Sequence, residues 1–193
     1  MSNKAAITKQ NLDPIIQNRW SPRAFQADKS ISADDLMALI EAAHWAPSCM
    51  NEQPWRFIVC DKTTHPASWE KLLNCLMSKN QLWASQAPVL ILASAAQHFS
   101  HSDKTNAWAA YDTGAAVQNL ALQATALGLS THSMGGFDSA LVVSEFSLPE
   151  SITPLAVIAV GYQADVSVLA EEFQEKERAT RQRHPLETRV QFG

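Results

Sequence analysis

Two arginines bracket a hydroxyl in Arg19-Trp20-Ser21-Pro22-Arg23, just after a short apolar segment. Forked guanidinium donors beside a neutral O–H suit an oxyanion, above all a phosphate. A second group lies in Ala46 to Trp55 (APSCMNEQPW), where two prolines fix an irregular loop and Ser48, Asn51 and Gln53 offer uncharged donors and acceptors. Such groups suit the edge of a heterocycle better than they suit proton transfer. The third is Ser133-Met134-Gly135-Gly136-Phe137-Asp138, whose glycine pair lets backbone N–H groups approach a flat ligand closely. The fourth is Arg178, Arg181, Arg183 and His184 ahead of Pro185, a cationic cluster that can form the second half of an anion clamp. Taken singly, each also has a plain reading: a solvated turn, a structural loop, a tight turn and a salt-bridged surface.

Several function classes are disfavoured. The net charge of −4 is unlike the basic excess of a nucleic-acid binder. Residues 171–189 hold five Glu against Lys176 and four Arg, so the tail is no basic arm. Cys49, Cys60 and Cys75 form no CxxC pair, which points to neither a zinc site nor a disulfide framework. The polar N-terminus MSNKAAITKQNLDP lacks the apolar core of a signal peptide, and a cytoplasmic protein is expected. Between Ala107 and Gly128 the single formal charge is Asp112, yet Gln118, Asn119 and Gln123 interrupt the run, so a core helix is expected and not a membrane span. No GxGxxG is present, so a Rossmann nicotinamide domain is not expected.

These groups need a scaffold, and the chain supplies alternating helical and strand-like segments within one domain, residues 1–193. Leu12, Ile15 and Ile16 predict a short helix over 11–18. Ser32 with Asp35 resembles a capping box, and Leu36, Leu39, Ile40 and Ala43 keep helical spacing until Pro47. Strands are predicted over 55–60, 88–95 (PVLILASA) and 154–161 (PLAVIAVG), the last two as buried strands, with helices over 66–77 and 139–146. A long helix over 105–127 ends at Gly128, a C-cap position. Its alanines and Gly114 leave a thin cylinder apolar on two faces, which fits a buried core helix or a contact with a second copy.

The four groups in order are R-x-S-x-R-x-F at Arg19–Phe25, A-P-S-x-x-N-x-Q-P-W at Ala46–Trp55, G-L-x-T-x-x-x-G-G-F-D at Gly128–Asp138, and R-x-R-x-P-L-E at Arg181–Glu187. Colinear over residues 11–190, they resemble the FMN-dependent nitroreductases. The resemblance implies an α+β fold, a mixed sheet flanked by helices, in an intertwined homodimer with FMN at the interface. By residue it assigns Arg19 and Ser21 to the FMN phosphate and ribityl chain, with Arg181 and Arg183 completing the phosphate clamp. Arg23 matches a cation at the N1/O2 edge of the ring, where negative charge grows on reduction. Pro47, Ser48, Cys49, Asn51 and Gln53 match a loop reaching in from the partner subunit. Ser133, Met134, Gly135 and Gly136 match the segment over the ring, with the Gly135 N–H facing N5. Trp20 stands where Arg or His is common, which turns one polar contact into packing, and Cys49 stands where small or polar residues are usual.

The activity so implied is hydride transfer from NADH or NADPH through FMN to a small electron-poor acceptor such as a nitroaromatic or quinone. No metal is expected, and no side chain is required as acid or base; His44, His65, His98, His101 and His132 are expected at the surface or in packing roles. The rival readings are a family member with a different flavin reaction and a non-enzymatic FMN-binding or sensing module.

Overall fold

The computed structural model describes residues 4–102 and 104–193; the first three residues of the polar N-terminal segment lie outside them. Four strands form one sheet in the order β1-β2-β4-β3: β1 Trp55–Asp61, β2 Val89–Ala96, β3 Ser130–Met134 and β4 Ile152–Gly161. The α+β class holds. The mixed pairing implied by the resemblance is not found among these four strands, because all three ladders are antiparallel. Near-continuous apolar strands commonly accompany parallel sheets, but the pattern reports burial on two faces and not strand direction.

That two-faced burial is built by residue parity. Leu90 and Leu92 of β2 pair with Ala159 and Val157 of β4, and these four side chains share one core with Trp69, Leu72, Trp83, Val142 and Phe173. Val89, Ile91, Ile158 and Val160 point the other way, against Leu39, Ala43, Leu120 and Ala124. On the first face lie α3 (Pro66–Asn74), α4 (Ser78–Ala84), α6 (Ser139–Glu145) and α7 (Glu171–Arg178); on the second lie α2 (Ala33–His44) and α5 (Ala109–Ala126).

Local sequence explains most element ends. Ser32 Oγ accepts from the Asp35 N–H at 3.0 Å and donates to Asp35 Oδ2 at 2.8 Å, starting α2 as the capping pattern predicts. Gly128 follows α5 at φ 72°, the left-handed turn that glycine adopts freely. The helix predicted over 66–77 is cut short, and α4 follows it separately. Main-chain bonds from Met77 N–H to Gly136 O and from Asp138 N–H to Cys75 O tie residues 75–77 to the segment after β3, and that pairing displaces the helical ladder. Helix α1 (Pro14–Asn18) is capped by Asp13, but Leu12, Ile15 and Ile16 stay exposed in the single chain. No helix among the described residues is long and apolar enough to cross a membrane.

Candidate functional site

The first and fourth groups come together, and the first also meets β3 at His132, the residue before the third group. Arg19 Nη1 donates to Ser21 Oγ at 3.3 Å. The Arg19 pKa is drawn below its ordinary value, first by burial and then by the positive charge of Arg183. Arg181 shifts the same way through burial, then through Arg19 and Arg183. The N-terminal and C-terminal arginines therefore lie within electrostatic reach of one another, though more than 150 residues apart in sequence. Among the described residues none of the three forms a salt bridge. Arg181 Nη1 is instead spread over the carbonyls of Lys4 (2.6 Å) and Gln17 (3.1 Å), which orient it without neutralising it. Three guanidiniums with a hydroxyl and no carboxylate form a repulsive cluster, and a dianionic phosphate relieves that repulsion.

The third group begins on β3, one residue beyond that strand's contact with the first group. His132 Nδ1 lies 2.9 Å from Pro22 O; a carbonyl can only accept, so Nδ1 carries the proton. Burial pushes the His132 pKa down to about 4, and the Arg23 and Arg19 charges push the same way, partly opposed by hydrogen bonds to Pro22 and Ser21. The ring stays neutral and packs on Trp83 at 4.5 Å, in keeping with a packing role. Beyond it Ser133 is exposed, Met134 is buried in the core and Gly135 faces open space, with no atom within 4 Å of a built Cβ. Gly136 is tighter: a Cβ there would meet Asn80 Nδ2 at 2.8 Å, the atom that donates to Gly136 O at 3.0 Å. Asn80 thus fixes the glycine pair from below.

Arg23 is the residue whose surroundings the sequence least foretold. Its backbone N–H donates to both Glu177 oxygens, at 2.9 and 3.1 Å, and the Ala24 N–H donates to Oε1 at 3.2 Å. Its Nη1 lies 3.9 Å from Glu177 Oε2, and its guanidinium carbon sits 5.9 Å from the Trp83 ring centre. Glu177 is 4% exposed and was missed; the available signal was Phe173 four residues earlier, which puts the acid on the buried face of α7. Lys4 Nζ lies 5.2 Å from the Trp20 ring centre, and the ring lines a cleft with Gln163, Asp165 and Glu177.

The second group stands apart. Met50, Asn51 and Gln53 take φ values of 54°, 56° and 53°, left-handed conformations that cost a non-glycine residue on the order of 1 kcal/mol or more. Pro47 and Pro54 frame the loop, and the Gln53 N–H donates to Ser48 Oγ at 3.0 Å. The Cys49 N–H donates to buried Asp112 at 2.9 Å, and Cys49 is a half-buried free thiol. No hydrogen bond, salt bridge or ring contact among the described residues joins this loop to residues 19–23, 133–136 or 181–183. The sheet order gives the reason. The loop feeds β1 at one edge while the arginines meet β3 at the other, three strand spacings or about 14 Å across the sheet. The two are displaced along the sheet as well, since Trp55 registers with Ala95 but His132 registers through Ala159 and Leu90 with Cys60.

A family model matches residues 16–162, three quarters of the chain, and is described as the nitroreductase family. The chain belongs to the nitroreductase family. A solved oxidoreductase containing FMN superposes on it with a TM-score of 0.86 at 36% identity, covering 94% of this chain and 91% of that one. A nitroreductase homologue of Desulfovibrio desulfuricans in complex with FMN gives a TM-score of 0.74 at 26% identity, covering 95% and 98%. The oxygen-insensitive NAD(P)H nitroreductase of Enterobacter cloacae is 25% identical over 193 residues, covering 78% of this chain and 88% of that protein. The family match stops before Arg181 and Arg183, so the nearness of these two to Arg19 comes from the geometry alone.

Proposed function

We propose that this nitroreductase-family chain is an FMN-dependent NAD(P)H oxidoreductase that reduces small electron-poor acceptors and works as a homodimer. The observation that carries the reading is the cluster of Arg19, Arg181 and Arg183, with Ser21 on Arg19 and no carboxylate paired to any of the three among the described residues. That donor set fits the phosphate of FMN. Bound there, FMN supplies the two-electron relay between the nicotinamide and the acceptor.

The chain's own residues anchor, orient and exclude water. Arg19, Ser21, Arg181 and Arg183 hold the phosphate and ribityl end. Arg23 presents a fixed cation to the ring edge, Ser133 to Gly136 line its face, and Asn80 keeps that segment in place. Pro47, Ser48, Cys49, Asn51 and Gln53 come from the second copy, since in one chain the loop stands a sheet's width away. Large apolar side chains on and near α5 support a second copy: Tyr111 is 74% exposed, Met50 73% and Trp108 54% in the single chain.

The test is the spectrum of purified protein under anaerobic conditions. A yellow dimer that releases FMN on denaturation, bleaches with NADH or NADPH and recolours with a quinone or nitroaromatic supports the reading. Bound flavin that neither nucleotide reduces supports a sensing module instead, and protein that takes up no FMN overturns the assignment.

A further inference from the structure

One carboxylate touches both the backbone and the head of the arginine assigned to the flavin edge. Glu177 accepts from two consecutive N–H groups, Arg23 and Ala24, and lies 3.9 Å from Arg23 Nη1. It is 4% exposed, so water screens its charge poorly, while Arg23 retains 28% exposure. On its other side Arg23 faces Trp83, itself braced by His132, whose ring is tied to Pro22 O. The arginine is therefore held by its own amide, its head and its aromatic wall. Glu177 also lies in the last turn of α7, four residues before Arg181, and so fastens the 19–24 segment to the segment carrying the C-terminal arginines.

We propose that Glu177 is a positioning residue that fixes Arg23 beside the flavin and offsets part of its charge, thereby setting the reduction potential of bound FMN. The inference rests on the FMN reading above. A bare Arg23 favours the more negative, reduced ring; a buried carboxylate 3.9 Å away weakens that preference. Glu177 therefore holds the potential below the value Arg23 alone would impose. Its own anchorage makes this possible, since the Arg23 and Ala24 N–H groups hold the carboxylate in a buried place.

Glu177→Gln tests the charge while retaining an oxygen that can accept from Arg23 N–H and Ala24 N–H. Redox titration of bound FMN at matched occupancy is expected to show a rise of roughly tenfold in the two-electron equilibrium, about 30 mV. In an Arg23→Gln background the same change is expected to shrink to a small fraction, because its main target is gone. An unchanged or lowered potential overturns the proposal, as does a rise of equal size in both backgrounds, which assigns Glu177 a direct field and not an action through Arg23. Glu177→Asp, which keeps the charge but retracts it, guards against misfolding of the amide variant and is expected to stay near the wild-type potential. Wild-type protein that binds no FMN defeats the functional reading itself, whereas FMN bound with an unmoved potential defeats only this inference.

Discussion

The Asp112 carboxylate accepts the Cys49 N–H at 2.9 Å, so the first turn of the longest helix pins the most contorted loop of the chain. Asp112 is 4% exposed and gains further from the positive N-terminal end of α5. Asp112→Ala leaves the amide unpaired beside three left-handed residues. It is expected to destabilise the fold by about 1–3 kcal/mol. Hydrogen exchange should rise across residues 47–54 well before the sheet exchanges; uniform protection in the variant refutes the pin.

The two C-terminal arginines differ in a way that separates anchoring from architecture. Arg183 Nη1 contacts only the neighbouring Gln182 carbonyl among the described hydrogen bonds, whereas Arg181 holds Lys4 O and Gln17 O. Arg183→Ala is expected to weaken FMN binding by on the order of 1.5–3 kcal/mol with little change in thermal stability. Arg181→Ala should lose both. Saturating FMN should restore activity to Arg183→Ala, since the side chain performs no chemistry; activity that stays absent removes Arg183 from the anchor.

His132 makes stability depend on acid. Its folded pKa lies near 4 and its unfolded value near 6.5, so between these the unfolded chain binds the extra proton and stability rises with pH. Acidification through that window is expected to remove up to about 3 kcal/mol. Denaturant midpoints at pH 4.5 and 7, compared between wild type and His132→Gln at fixed flavin occupancy, measure it. Equal slopes in both proteins eliminate the histidine as the cause.

Gly114 offers a clean probe of self-association. It is exposed on α5, and a Cβ built there meets no atom within 4 Å of its own chain. Gly114→Leu should therefore fold normally as a single chain. Light scattering is expected to show dimer converting to monomer with loss of flavin. A stable flavin-bearing dimer would place the interface elsewhere.

Much of this was legible in residue types. The apolar runs PVLILASA and PLAVIAVG announced buried strands, which the structure covers on two faces, and Ser32 with Asp35 marked the start of α2. The arginine pairs were visible too, because forked cations beside a hydroxyl are a local pattern. Non-local effects were not. The split between α3 and α4 depends on main-chain pairing with residues 136 and 138, which no local propensity encodes. Glu177 escaped because a balanced run of charges conceals the one acid whose partner lies 154 residues away. The left-handed residues at 50, 51 and 53 were hidden for a similar reason: none is glycine, and strain at Met, Asn and Gln leaves no mark in composition.

Under the proposed homodimer, the sheet order β1-β2-β4-β3 has an equilibrium corollary. A binding site that draws the loop before β1 from one chain and the arginines beside β3 from another is bimolecular in protein. Its occupancy then follows mass action: dilution empties it even when every subunit remains folded, and added cofactor pulls subunits back together. The yellow colour of a dilution series would then report an association constant, and the cell's copy number of this chain would act as a regulator of its activity.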